Sequence, residues 1–156
     1  MDIHPVAIPT PDGISCEYGI LHDEGEERLP RVLVVSFAGQ YPTGSEGNPH
    51  GHFIAHATIH GLSAFNPWCL ILDMRELSYQ WGNSLLAVFD DADRYMSGDD
   101  DSPVRFPIVV VTSSKCRDAF LSLVTPHGGA RPEWHFDDME PAIAYALAKA
   151  REWIDA

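Results

Sequence analysis

The sequence predicts a single-domain α/β fold: a mixed, mostly parallel β-sheet with an N-terminal hairpin and helices packed on it. Three observations predict it. Two short, continuous apolar runs, 69–72 (CLIL) and 107–112 (PIVVVT), read as strands covered on both faces. Helical apolar spacing follows each run, so helices and strands alternate along the chain. Ahead of both, Ile14, Cys16, Tyr18 and Ile20 alternate with polar or small residues, the pattern of a half-buried strand. A chain of 156 residues makes one such domain and buries about two-thirds of its unfolded surface.

Residues 1–11 hold three prolines and read as an extended lead-in, with the α/β core over 12–154. Residues 22–28 are charged and contain Gly25, so the chain turns there. Residues 31–38 (RVLVVSFA) form a second strand, which pairs with the first as an antiparallel hairpin. The Gly-, Pro-, Ser- and Asn-rich stretch 39–51 is a long loop, followed by a helix over about 51–65.

The strand 69–72 stops at Asp73, and Tyr79-Gln80-Trp81-Gly82 turns the chain. Asn83 or Ser84 then caps a helix whose apolar residues are Leu85, Val88, Phe89, Ala92, Tyr95 and Met96. The SGDDDS run at 97–102 is an acidic loop, and the strand 107–112 leads through Ser113 or Ser114 into a short helix ending at Val124. A loop over 126–134 and an edge strand around 134–136 precede the last helix. There Met139, Ala142, Ile143, Ala146, Leu147, Ala150, Trp153 and Ile154 make one buried face. Asp137 and Glu140 stand at capping-box spacing, and Pro141 is tolerated in the first turn.

A net charge of -13 excludes nucleic acid and anionic membrane surfaces as partners and suits a protein partner. Cys16, Cys69 and Cys116 are odd in number and lack C-x-x-C spacing, so reduced thiols in a cytoplasm are expected. The start MDIHPVAIPTPDG has neither the basic end nor the apolar core of a signal peptide.

Four patterns carry possible chemistry, each beside a plainer reading. His52, His56 and His60 recur every four residues, an arc of about 80° opposite the apolar face of their helix. Such a pair at i, i+4 can chelate a transition metal, with His50 as a further ligand; the alternative is a solvated polar stripe. Cys116 follows a buried strand at a helix start, between Lys115 and Arg117, a setting that lowers a thiol pKa. His127 or His135 is a candidate base for it, and an inert half-buried thiol is the alternative. Thr112 to Lys115 offers an anion the hydroxyls and amides of a helix start but lacks the glycines of a P-loop. Trp81 in a turn beside Gly82 suits a protein interface or a lid on the sheet edge. No catalytic set and no cofactor motif is evident.

The element order and the central turn resemble the STAS domain of anti-sigma factor antagonists and sulfate-transporter tails. Leu72-Asp73-Met74, Leu77-Ser78-Tyr79 and the helix Leu85-Leu86-Ala87-Val88-Phe89 carry the likeness, together with Trp134 through Ala148. The resemblance implies a non-enzymatic regulatory domain that docks a protein partner, or a second copy of itself, through Ser78, Tyr79, Trp81, Gly82, Asn83 and Ser84. The family's phosphorylatable Asp-Ser-Ser-Gly turn is replaced by Gln80-Trp81-Gly82-Asn83, so docking and not a kinase switch is expected. A rival resemblance, to the ClpP/crotonase superfamily, rests on Asp73, Arg75 and the Gly82-Asn83-Ser84 turn. It implies an acyl-group enzyme, with amides near Gly82 as an oxyanion hole and Ser84 acting on the acyl group, or an inactive relative of one.

Overall fold

Five strands form one sheet in chain order: β1 (Ile14–Leu21), β2 (Val32–Tyr41), β3 (Cys69–Tyr79), β4 (Ile108–Val111) and β5 (His135–Phe136). The computed structural model describes residues 1–21, 31–98 and 103–156. The expected turn at 22–28 and Asp99, Asp100 and Asp101 of the expected acidic loop lie outside the described residues. β1 and β2 pair antiparallel, with Ile14 opposite Gly39 and Leu21 opposite Val32. All later pairings are parallel. The helices are α1 (Asn48–Phe65), α2 (Leu86–Ser97), α3 (Arg117–Val124) and α4 (Met139–Asp155), with a short 3₁₀ turn, Gly44–Gly47, ahead of α1. The fold is thus the expected mixed, mostly parallel sheet with an N-terminal hairpin. It is not the stack of ββα turns that the crotonase resemblance implies.

From β2 onward the sheet grows in one direction. Parallel crossovers share one hand, so the helices that make them fall on one face. Accordingly Ile54, Ala55 and Leu62 of α1, Val88 and Ala92 of α2 and Phe120 of α3 share a core with Leu33, Val35, Phe37, Leu70, Leu72 and Val110. The opposite face, Val32, Cys69, Ile71, Val109 and Val111, is covered by Ala142, Ala146 and Ala150 of α4. Strands buried on both faces need continuous apolar runs, and 69–72 and 108–111 supply them.

Several boundaries differ from the expectation for identifiable reasons. β3 does not stop at Asp73 but runs to Tyr79. The Asp73 carboxylate is accommodated within the strand by Arg75 Nε at 2.9 Å and Nη2 at 3.0 Å, with Ser36 Oγ donating from β2 at 3.3 Å. Burial pushes this carboxyl up, but those hydrogen bonds and the Arg75 charge hold it below the usual carboxylate range. A bulge follows. Ser36 pairs with Asp73 but Ala38 pairs with Glu76, so β3 spends one residue more than β2. The extra residue reverses the alternation, and Leu77 and Tyr79 therefore join Leu70, Leu72 and Met74 in the same core.

β2 extends to Tyr41 and α1 begins at Asn48, so the expected 39–51 loop shrinks to a short connection holding the 3₁₀ turn. Pro49 fits the first turn of α1, where its missing N–H costs nothing, and Asn66 in the left-handed conformation ends the helix ahead of Pro67. α2 begins at Leu86, and neither Asn83 nor Ser84 caps it through its side chain. Likewise Asp138, not Asp137, occupies the position before α4. Asp137 instead accepts from Arg117 Nε at 2.6 Å and Arg131 Nη1 at 3.0 Å, tying together α3, the 126–134 loop and β5. No described helix is long and apolar enough to cross a membrane.

Candidate functional site

β3 is longer than β4, and this builds the site. Leu70 to Asp73 pair with β2 on one side and with Ile108 to Val111 on the other, whereas Glu76 to Tyr79 lie beyond β4 and pair with Ala38 to Tyr41 of β2. The other edge of this carboxyl half is met by the connection leaving β4. Ser113 Oγ donates to the Arg75 carbonyl at 2.6 Å, Cys116 Sγ to the Met74 carbonyl at 3.2 Å, and the Tyr79 N–H to the Lys115 carbonyl at 3.2 Å. Lys115 Nζ also donates to Glu76 at 3.0 Å. These bonds hold the start of α3 beside the turn that leaves β3. The location agrees with the rule that α/β sheets work at the carboxyl ends of their strands.

Two tyrosines fix the turn from beneath. Tyr79 is buried and its hydroxyl donates to the Gly82 carbonyl. Tyr41 meets it edge-on, with ring centroids 5.1 Å apart at 85°, and shares a hydrogen bond with Ser84 Oγ. Burial pushes the Tyr79 hydroxyl up to about 12 and raises that of Tyr41, against the Ser84 hydrogen bond, so both stay protonated. α1 passes close to this pair at Gly51. A Cβ there would stand 2.8 Å from the Tyr41 hydroxyl and 2.9 Å from Ser84 Oγ, so any larger residue would displace the network.

Above the tyrosines the turn faces solvent. Trp81 is 65% exposed. Its carbonyl accepts from the Gly44 N–H at 3.3 Å, and its ring rests on Gly44, where a Cβ would lie 2.6 Å from Cζ3. Beside it opens a cleft of about 410 Å³ between the turn and α3, lined by Gln80, Trp81, Asn83, Asp118, Ala119 and Leu123 among others. Asp118 is the one charged residue of this lining. The wall is otherwise aromatic, amide and aliphatic, a surface that can receive an apolar side chain and hydrogen-bond a backbone beside it.

The structure sorts the expected docking residues into two groups. Trp81 and Asn83 are exposed on the cleft, and Tyr79 and Gly82 support it from inside. Ser78 and Ser84 are half-buried and do not line it; Ser78 is a β3 residue opposite Gln40, and Ser84 is bonded to Tyr41. The α3 wall, Asp118, Ala119, Ser122 and Leu123, was not anticipated. Only the adjacency of parallel strands points to it, since successive βα connections open at the same end of the sheet.

Ser84 and Cys116, the catalytic alternatives, have separate partners. Ser84 has Tyr41 as its partner and not a histidine. Cys116 precedes α3 and is buried. Burial pushes its thiol up, outweighing the downward pull of the Ser113 backbone, Arg117 and Lys115, so the expected activation is reversed. His135 is turned to Thr112, whose Oγ1 lies 2.7 Å from Nε2, and to the Phe120 ring at 5.1 Å. His127 is exposed. The hydroxyl and amine offered to an anion by Ser113 and Lys115 are bonded to Arg75 and Glu76. His52, His56 and His60 lie exposed on α1, whereas His50 points inward, its Nε2 3.0 Å from the Asp12 carbonyl oxygen. No grouping of three or more metal-ligating side chains occurs among the described residues.

No protein-family model and no curated protein sequence matches the chain. Among solved structures, the chain is similar to the crystal structure of an anti-sigma factor antagonist from Mycobacterium paratuberculosis. The two are 16% identical, the alignment covers 89% of this chain and 98% of that one, and the TM-score is 0.48.

Proposed function

We propose that this chain is a non-enzymatic, STAS-like regulatory domain that docks a protein partner on the cleft between the Tyr79–Asn83 turn and α3. One observation carries the reading: Trp81 stands 65% exposed on a turn that Tyr41, Tyr79 and Gly44 hold in place. Large aromatics on rigid supports are the usual anchors of protein interfaces, because little conformational freedom is lost when they are covered. The acidic charge of the chain adds a preference for a basic partner surface, with Asp118 placed to meet it.

The test is affinity capture from the source cells, with co-captured proteins quantified for wild type, Trp81→Ala and an exposed control on the far face, Glu152→Gln. A specific partner should be retained by wild type and the control. It should fall at least tenfold with Trp81→Ala, as expected for loss of a central aromatic anchor, about 2 kcal/mol or more. Ser84→Asp should weaken capture as well, by displacing Tyr41 and with it the turn. Equal capture by Trp81→Ala and Ser84→Asp would sink the proposal.

A further inference from the structure

α1 has no Asp, Glu, Lys or Arg between Asn48 and Phe65, in a chain whose net charge is -13. Its outward face carries imidazoles instead. His52 and His56 are exposed, with ring centroids 6.3 Å apart and ring planes only 25° from parallel. Residues four apart sit one above the other on a helix, so both rings can swing toward a common point. Among the described residues neither ring has a hydrogen-bond or carboxylate partner to compete for it. Next to them runs a largely apolar groove of about 790 Å³, walled on one side by Phe53 and Ala57 of α1 and on the other by Ile8 and Pro9 of the N-terminal arm.

We propose that His52 and His56 chelate a divalent transition-metal ion, of the zinc, nickel or copper class, at the mouth of this groove. Imidazole nitrogen is a preferred ligand of these ions at about 2.0–2.1 Å. The protein supplies two ligands, and water fills the remaining positions. His60 is not a third ligand. It lies eight residues beyond His52, about 12 Å along the helix axis, and its ring is tilted toward Tyr18, with centroids 6.4 Å apart. The acidic charge of the whole molecule favours cation uptake without supplying a competing ligand beside the pair. A bound ion also cross-links one turn of α1, so it stabilises the folded chain by mass action.

Equilibrium dialysis of the untagged 156-residue chain against nickel and zinc chlorides tests the assignment, together with thermal melting. One equivalent per chain and a raised melting temperature are expected for wild type. His60→Ala and His4→Ala should retain both effects, the latter excluding capture by the N-terminal arm. His52→Ala and His56→Ala should each weaken binding at least tenfold and abolish the rise in melting temperature. All four positions are exposed or lie on the arm, so the variants should fold. Equal affinity in wild type and the His52→Ala/His56→Ala double variant, or loss of binding in His60→Ala, would overturn the site.

Discussion

The two faces of the sheet are built from different materials. Under α4, three alanines one turn apart lie against Val32, Cys69, Ile71, Val109 and Val111, all small or β-branched. Small side chains let the helix backbone approach closely there, while Trp68, Phe136, Tyr145 and Leu147 pack against this cluster only partly buried. The other face is filled with rings and long chains: Phe37, Tyr41, Tyr79, Phe120 and Trp134 with Met74 and Leu77. Rings fill volume but meet at angles. Phe120 and Trp134 cross at 81° and Tyr41 and Tyr79 at 85°. The hydroxyls of the two tyrosines reach beyond the core to hold the turn above them. The cleft and the exposed tryptophan thus belong to the ring-built face, and the alanine face serves as a closed backing.

This contrast can be broken from the ring-built side first. Phe120→Ala should cost about 3–5 kcal/mol of stability, because Phe120 is fully buried and touches Phe89, Trp134 and His135. Urea unfolding measures it, and a loss under 2 kcal/mol would show that α3 is less essential to this core than its packing indicates. Acidification should act next. Burial first, and then the charge of Arg131, lower the His135 imidazole to about 4. The folded value lies below that of an unfolded histidine, near 6.5, so between those values the unfolded chain binds the extra proton. Stability is therefore complete above pH 6.5 and falls as pH drops toward 4, by on the order of 3 kcal/mol. Unfolding measured across this window should show a slope that His135→Gln reduces; an unchanged slope would show that His135 does not carry it, since Asp73 and Asp137, whose carboxyls are lowered, lose their contribution only at still lower pH.

On the backing face the expected failure is overfilling. Ala146→Leu should cost about 1–3 kcal/mol, since Ala146 is fully buried between α4 and the strands. A neutral result would reveal slack beneath α4. The smallest effect is predicted at the turn itself. Tyr41→Phe removes the hydrogen bond to Ser84 and should cost about 1 kcal/mol, while tryptophan emission, to which Trp81 contributes as the one exposed tryptophan of four, reports whether the turn has loosened. An unaltered emission spectrum and unchanged unfolding midpoint would show that ring packing alone holds the turn.

The elements and their order were legible from apolar patterning, because strands covered on both faces and helices covered on one leave different periods. The carboxyl half of β3 does not carry a strand's alternation in sequence. Arg75-Glu76 interrupts the alternation there, and the phase changes from Leu72 and Met74 to Leu77 and Tyr79; two polar residues flanked by out-of-phase apolar pairs are what a bulge looks like in sequence. Trp81 is legible as an aromatic of the turn, but sequence leaves an interface and a lid on the sheet edge equally open; the fold exposes it. Ser84 and Asp137 have the local spacing of caps, but each is used by a partner distant in sequence, Tyr41 for one and Arg117 and Arg131 for the other. No local pattern encodes such partners, and the α3 wall of the cleft was hidden for the same reason.

Because every crossover helix lies on the ring-built face, the backing face has no cover until α4 has been synthesised, after all five strands. Before α4 docks, the paired strands present Val32, Ile71, Val109 and Val111 to water as one apolar sheet surface, a target for chaperones or for self-association. Docking of the alanine helix thus decides when this sheet face stops being a target for association.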